Sequence, residues 1–404
     1  MKILIIEDDQ LVANIYRNKF ALEGFAAETA SDGDIGLELL QSFRPDAVLL
    51  DLVLPRVTGL EVMRKLRAQK EFQELPVIVI SNTYLTNMVQ EAWKAGATKC
   101  LSKASCTPKQ VIEAVRSTLK MNGATTATFP RAQIGTTRKT SPEPSQPSRS
   151  LEASAEADAA FQAELRRDFV TGLPGTLNSF RTSLQALIKA ENDAGRLKQI
   201  QELFRRSHSL ASNAGMAGVT QIAQMADALE ALLKELSDKP KTINASTLRT
   251  VASAVDFLVV LAERTSQSEK PFPAAEVLVV DDEAISRRAI TYALEKGKLK
   301  STAIEDPIEA FKLLSLKKFD LIFLDVDMPN MNGFELCTKI RTQPSYARTP
   351  VVFVTGLTDL ESRANSTMSG GNDFIAKPFL FIELTVKALV HVFRSRLDAA
   401  AKTA

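Results

Sequence analysis

Histidine and cysteine are scarce in this sequence. Two histidines and three cysteines occur among 404 residues. Cys100, Cys106 and Cys337 have no metal-ligand spacing, and so few thiols argue for a reducing compartment. Neither sign of charge dominates. The formal net charge is +2, which gives no global pull toward a polyanion. No uninterrupted apolar run is long enough to cross a bilayer. The N-terminal MKILIIEDD meets acids by Glu7, too early for a signal peptide. No Gly-rich nucleotide-binding segment is found, which excludes a kinase ATP site. After Leu397 only a short Ala/Lys tail follows, so output is expected to pass through partners. These absences predict a cytoplasmic protein with no membrane segment and no direct nucleic-acid partner.

The chain has apolar residues enough for real cores, at 45 % of the total, and its length predicts two to four domains. Residues 1–122 alternate short apolar runs with amphipathic stretches. Ile3–Ile6, Ala47–Leu50 and Val77–Ile80 read as buried strands, and Gln10–Glu23, Gly59–Ala68 and Pro108–Lys120 as helices. Such alternation predicts a parallel sheet covered on both faces, with all strand C-terminal ends on one rim. Residues 123–150 are rich in Thr, Ser and Pro and read as a disordered linker. Residues 151–268 lose the strand signal. Helices are predicted over Ala155–Val170, Pro174–Ala190, Ala194–Ala214, Val219–Leu236 and Ala245–Arg264, as an antiparallel bundle. Residues 273–398 return to alternation, with strands at Glu276–Val280, Asp320–Leu324 and Val351–Val354. This half repeats the first.

The repeat is closest at the strand ends. Glu7-Asp8-Asp9, Asp51, Ser81 and Lys103 in the first copy match Asp281-Asp282-Glu283, Asp325, Thr355 and Lys377 in the second. The acceptor Asp and the hydroxyl residue are 30 residues apart in both copies, and hydroxyl and lysine 22. A strand-end Asp is common, and a lone Lys is usually solvated. Five members repeated at matched spacing make chance a poor explanation. Carboxylates crowded on one rim repel unless a cation joins them, and an all-oxygen donor set suits Mg²⁺. Asp51 or Asp325 is then placed to act as a nucleophile on phosphorus, the lysine to balance charge, and the hydroxyl to hydrogen-bond a phosphoryl oxygen.

Between the copies lies FRRSHSLASNAGMAG, Phe204 to Gly218, which carries His208. At the helical period Ile200, Leu203, Phe204, Ser207, Leu210, Ala211 and Ala214 share one face, with His208 at its edge beside Arg205, Gln201 and Ser212. A half-exposed imidazole there is expected to be a nucleophile reachable by another protein. Read from the helix alone, the commoner alternative is a histidine that caps the core edge. His391, in the last amphipathic helix, lacks a motif and reads as structural.

These motifs carry two resemblances. DLVLPRVTG and DVDMPNMNG match the Asp-x-x-x-Pro-x-x-x-Gly signature, and Lys377-Pro378 the Lys-Pro, of the receiver domain of two-component response regulators. The resemblance implies two flavodoxin-like, doubly wound (βα)5 domains. His208-Ser-Leu210 followed by small residues resembles the histidine phosphotransfer (HPt) domain, a helical bundle; Ala211 and Ser212 stand where that family has Lys and Gly. By position the resemblance makes Asp51 and Asp325 phosphoacceptors. Asp8, Asp9, Asp281 and Asp282 help hold Mg²⁺, with backbone carbonyls from Val53 and Asp327. The copies differ in the residue three before the lysine, Cys100 against Phe374. They differ again after the hydroxyl residue, Asn82 against Gly356, and after the lysine, Ala104 against Pro378.

The function implied is a phosphorelay intermediary that is not a metabolic enzyme. Its partners would be a sensor histidine kinase and a downstream response regulator or effector, and a receiver-mediated dimer is compatible with the family. A docking scaffold with vestigial sites is a second reading, favoured by Ala211, Ala104 and Cys100. An aspartyl phosphatase built on Asp325-Val-Asp327 is a third, and it leaves the repeat unexplained.

Overall fold

The computed structural model describes residues 1–82, 88–123, 148–265, 274–356 and 369–403. They fall into two compact units. One holds the described residues up to Thr171 together with Ser212–Val219. The other holds Gly172–Ala211 and the described residues from Thr220 onward. Most of the linker expected over 123–150 lies outside the described residues, as does the boundary expected near 268–273.

In the first unit β1 (Lys2–Ile6), β2 (Ala26–Ala30), β3 (Ala47–Asp51), β4 (Val77–Ser81) and β5 (Lys99–Ser102) form one sheet, ordered β2-β1-β3-β4-β5 and parallel throughout. Side chains alternate between its faces. Leu4, Ile6, Val48, Leu50, Val77 and Val79 enter one core; Ile3, Ile5, Leu49, Ile78 and Ile80 enter the other. Helices α1 (Gln10–Leu22) to α5 (Pro108–Gly123) supply the cover, with α2 at Gly33–Phe43, α3 at Gly59–Arg67 and α4 at Met88–Lys94. The edge strand β2 carries no apolar run, because it is only partly covered, and β5 has four residues.

The second unit repeats this sheet with β6 (Glu276–Val280), β7 (Lys300–Ile304), β8 (Leu321–Asp325), β9 (Val351–Thr355) and β10 (Asp373–Ala376), ordered β10-β9-β8-β6-β7. It also holds most of a helical bundle drawn from α6 (Ser148–Ile188), α7 (Asp193–Met216), α8 (Thr220–Asp238) and α9 (Ala245–Thr265). Helix α10 is Ala284–Lys296, α11 Pro307–Leu314, α12 Gly333–Thr342 and α13 Phe381–Thr403.

Helix α6 corrects the two helices expected on either side of Pro174. It is continuous, with Pro174 inside it. Leu173, Leu177, Phe180, Leu184 and Leu187 form one buried stripe at steps of three and four, while Pro174 itself is exposed. The hydrogen bond that proline removes is lost on the wet side, and the apolar stripe holds the helix through it. Helix α9, over Ala245–Arg264, is long and apolar enough to cross a membrane by length and composition, although Arg249 and Asp256 interrupt its apolar residues. Its apolar residues serve a core instead. Val251, Ala254, Val255, Phe257 and Leu258 are buried, and α9 packs on α8 and α13.

Helix α13 is buried on two sides. Its neighbours are α10 and β8 of its own sheet domain and α8 and α9 of the bundle. Buried Glu383 accepts hydrogen bonds from Ser246 Oγ at 2.7 Å and Thr250 Oγ1 at 3.1 Å. Gln224 Nε2 donates to Gly297 O at 2.8 Å, and the Arg394 guanidinium lies 5.4 Å from the Phe257 ring centroid. In this unit the bundle is completed by a helix of the adjoining sheet domain.

Candidate functional site

Strand register places the chemistry. Asp51 ends β3 opposite Ile80, and Ser81 ends β4 opposite Ser102, the residue before Lys103. In the second sheet Asp325 pairs with Val354 and Thr355 with Ala376, the residue before Lys377. Residues 30 and 22 apart in the chain therefore meet at one rim, twice. The two signature glycines explain the tight loop after each acceptor. A Cβ on Gly59 would sit 2.1 Å from Asp51 O, and one on Gly333 2.0 Å from Asp325 O. The next helices start there, capped by Thr58 on α3 and Asn332 on α12.

In the first rim Lys103 Nζ lies 2.5 Å from Asp51 Oδ2 and 2.6 Å from Glu7 Oε2, all three side chains being buried. Burial alone would lower the Lys103 ammonium, but Asp51 and then Glu7 outweigh it and hold it above the usual lysine value. Val53 donates its N–H to Asp51 Oδ1 at 3.1 Å. Ser81 is buried at the end of β4. Asp8 is exposed and offers an oxygen within 4.8 Å of one from Asp51.

The second rim has the same bridge. Lys377 Nζ lies 2.9 Å from Asp325 Oδ2 and 3.0 Å from Asp281 Oδ2. Ser286 Oγ donates to Asp281 Oδ2 at 2.5 Å. Burial raises the Asp325 carboxyl above its ordinary value, with Lys377 opposing it. Asp281, Asp282 and Asp325 bring oxygens within 4.8 Å of one another. Thr355 is buried and Asp327 exposed. The Lys377-Pro378 bond is cis.

The strand ends align Glu7 with Asp281, Asp8 with Asp282 and Asp9 with Glu283. Glu7, absent from the expected metal set, therefore holds the position of Asp281. Asp9 is the N-cap of α1, and its Oδ1 accepts from Leu11 N at 3.0 Å and Val12 N at 3.3 Å. The matched triplets already hold this register, since Glu7 and Asp281 each directly follow the first strand.

His208 is not half-exposed, as its edge position predicts, but 6 % exposed. Glu230 of α8 reaches its Nδ1, with Oε1 at 2.9 Å, and the Phe204 ring lies one turn before it at 6.5 Å between centroids. A carboxylate only accepts, so Nδ1 carries the proton and the lone pair resides on Nε2. Asp227, one turn before Glu230, has its carboxyl pushed well above the usual range, first by burial and then by Glu230. No sequence signal marked Glu230 or Asp227, because an acid inside an amphipathic helix reads as a solvated face. Arg205 and Arg206 both pair with Glu202, at 3.5 and 2.7 Å. His391 Nε2 lies 3.3 Å from Asp373 Oδ2, which also accepts from Lys387 at 2.7 Å.

Comparison with known proteins gives the same division. Residues 3–116 and 277–389 match the model of the response regulator receiver domain, and residues 164–259 match the Hpt domain. Protein RcaC of Microchaete diplosiphon is 34 % identical over 121 residues, covering 30 % of this chain and 19 % of RcaC. Response regulator MprA of Mycolicibacterium vanbaalenii is 41 % identical over 81 residues, covering 20 % of this chain and 34 % of MprA. The chain thus spans only about a third or less of the length of these curated relatives. Among solved structures, chemotaxis response regulator CheY4 of Vibrio cholerae is 32 % identical, with 30 % of this chain and 99 % of CheY4 covered and a TM-score of 0.28. The receiver domain of sensor histidine kinase PA1611 from Pseudomonas aeruginosa, solved with a magnesium ion in its active site cleft, is 27 % identical. It covers 29 % of this chain and 98 % of its own, with a TM-score of 0.28. The receiver model alone accounts for more than half of the residues, and the chain belongs to the response regulator receiver family, with two receiver domains flanking an Hpt domain.

Proposed function

We propose that this chain is a phosphorelay intermediary that passes phosphoryl groups between the receiver aspartates Asp51 and Asp325 and the Hpt histidine His208. The observation that carries the reading is the repeated rim, a lysine bridging two carboxylates at matched strand ends, on a chain that also holds a histidine braced by a carboxylate. In the receiver step a carboxylate oxygen of Asp51 or Asp325 attacks the phosphorus of a phosphohistidine. The P–N bond breaks, the donor imidazole leaves with the electron pair, and an acyl phosphate remains. Lys103 or Lys377 balances charge on the transferred group, and Ser81 or Thr355 donates its hydroxyl to a phosphoryl oxygen.

The all-oxygen donor set of each rim fits Mg²⁺. Asp281, Asp282 and Asp325, with the Asp327 carbonyl, would hold it in the second receiver. Asp8 and Asp51, with the Val53 carbonyl and Glu7 close by, would hold it in the first. Asp9, committed to the α1 cap, is left out of the set. Bound there, the ion supplies positive charge that neutralises incoming phosphoryl oxygens. Donor and acceptor proteins would be a sensor histidine kinase and a downstream response regulator or effector, in the cytoplasm.

The test is radiolabelled transfer to the full chain with Mg²⁺, from a candidate kinase or a small-molecule phosphodonor. Asp51→Asn and Asp325→Asn should each remove one acid-stable, base-labile label. His208→Gln should remove the acid-labile, base-stable one. A folded wild-type chain that takes no label from any donor would leave the scaffold reading instead.

A further inference from the structure

The two receivers treat their rims differently. In receiver 2 the residues after the hydroxyl and after the lysine, Gly356 and Pro378, are exposed. In receiver 1 their counterparts Asn82 and Ala104 are buried. What covers them within that unit is the end of α7. Asn82 Nδ2 donates to Ser212 Oγ at 2.9 Å. A Cβ on Gly215 would stand 2.0 Å from Lys103 O and 2.8 Å from Ala104 Cα, so no other residue permits this approach. Met216 is buried in one cluster with Ile5, Tyr16, Ile80, Ile112 and Val115. Helix α6 supports the contact from the same unit. Gln162 Nε2 donates to Met216 O at 2.6 Å, and Asp158 pairs with Lys19 and, at 2.9 Å, with Lys109.

The contact is built for this helix. The rim after Lys103 is Ala104 where receiver 2 has Pro378, and the small residue that allows close approach is Gly215. That is one turn beyond Ser212, which stands where the Hpt pattern has its glycine. His208 precedes Ser212 by one turn of α7. Receiver 2 meets the bundle through other residues, Gly297 after α10 and Glu383 on α13.

We propose that Ser212–Val219 is a docking segment read by the rim of receiver 1, so that receiver 1, not receiver 2, exchanges phosphoryl groups with His208 of the same chain. The proposal rests on the relay reading above and adds the partner to it. In the exchange the Nε2 lone pair attacks phosphorus, the P–O bond to Asp51 breaks, and the carboxylate leaves with the electron pair. The Nδ1 proton stays in place, and the imidazolium it completes is balanced by Glu230. No proton has to be gained or lost.

The experiment uses the full chain loaded with labelled acetyl phosphate and Mg²⁺. In Asp325→Asn only Asp51 is loaded; in Asp51→Asn only Asp325. Acid-labile, base-stable label on His208 should form in the first chain at a rate independent of protein concentration, and far more slowly in the second. Gly215→Val, added to Asp325→Asn, should cut that rate by at least about tenfold, since misplacing reacting groups by an ångström costs that much or more. It should also speed hydrogen exchange at Lys99–Ser105. Asn82→Ala, which removes only a hydrogen bond, should slow transfer less and covers the case in which Gly215→Val fails to fold. Histidine label from Asp325 as fast as from Asp51, or no change in rate and exchange in both variants, overturns the proposal and leaves the relay standing. No histidine label from either receiver overturns both.

Discussion

Lys103 Nζ and Asp51 Oδ2 are 2.5 Å apart, and neither side chain is more than 1 % exposed. Glu7 shares the same ammonium, so two buried carboxylates depend on one cation. The homologous Lys377 is 20 % exposed and 2.9 Å from Asp325. The same bridge is therefore dry in one receiver and partly wetted in the other.

Removing the cation should separate the receivers. Lys103→Met removes the one ammonium that buried Glu7 and Asp51 share, and should cost receiver 1 about 3–5 kcal/mol. Lys377→Met should cost receiver 2 less, because water reaches its carboxylates. Native-state hydrogen exchange reads the two separately, through β3 and β4 or β8 and β9. Equal losses in the two receivers would contradict the difference in burial.

Glu230 should act through His208. Glu230→Gln keeps the shape but reverses the hydrogen-bond preference, since an amide can donate to Nδ1 and leave the proton on Nε2. Histidine labelling should slow by roughly tenfold to a hundredfold, the usual cost of losing the partner that orients an imidazole, while Asp51 and Asp325 still label. The ¹⁵N shifts of the His208 ring should report the changed tautomer. Unchanged labelling and shifts would make Glu230 a packing residue. Arg205→Ala should slow transfer more than Arg206→Ala, which lies on another face of α7.

Acid should loosen α13 through Asp373. Burial would raise this carboxyl, but the His391 hydrogen bond and Lys387 overturn that and hold it below the ordinary 3.8. A depressed folded value means stability is present above the unfolded value and lost as pH falls below it. Thermal melts taken from about pH 7 down to about pH 3 should show the wild type losing its advantage over Asp373→Asn below about pH 4. Parallel pH profiles for the two proteins would remove Asp373 from the account. His391, expected to be structural, is thereby given a structural task.

The sequence by itself determined the two sheets and the chemistry of their rims. Buried parallel strands need continuous β-branched and apolar runs, and a βα unit of fixed length carries each strand end to the rim. Matched spacings of 30 and 22 therefore meant matched geometry. Local patterns also located α7 and the face that holds Leu203, Leu210 and Ala214. What only the tertiary structure decided involves partners far apart in the chain. Glu230 meets His208 because α8 packs beside α7, and helical periodicity in either says nothing of which acid faces inward. Glu7 meets Lys103, far along the chain, because the ends of β1 and β5 lie on one rim. Pro174 stays inside a helix because the buried stripe beside it outweighs one lost hydrogen bond on the wet side. Gly215 reads in sequence as a helix end; only the approach of the Lys103 backbone makes it a contact that no side chain can occupy.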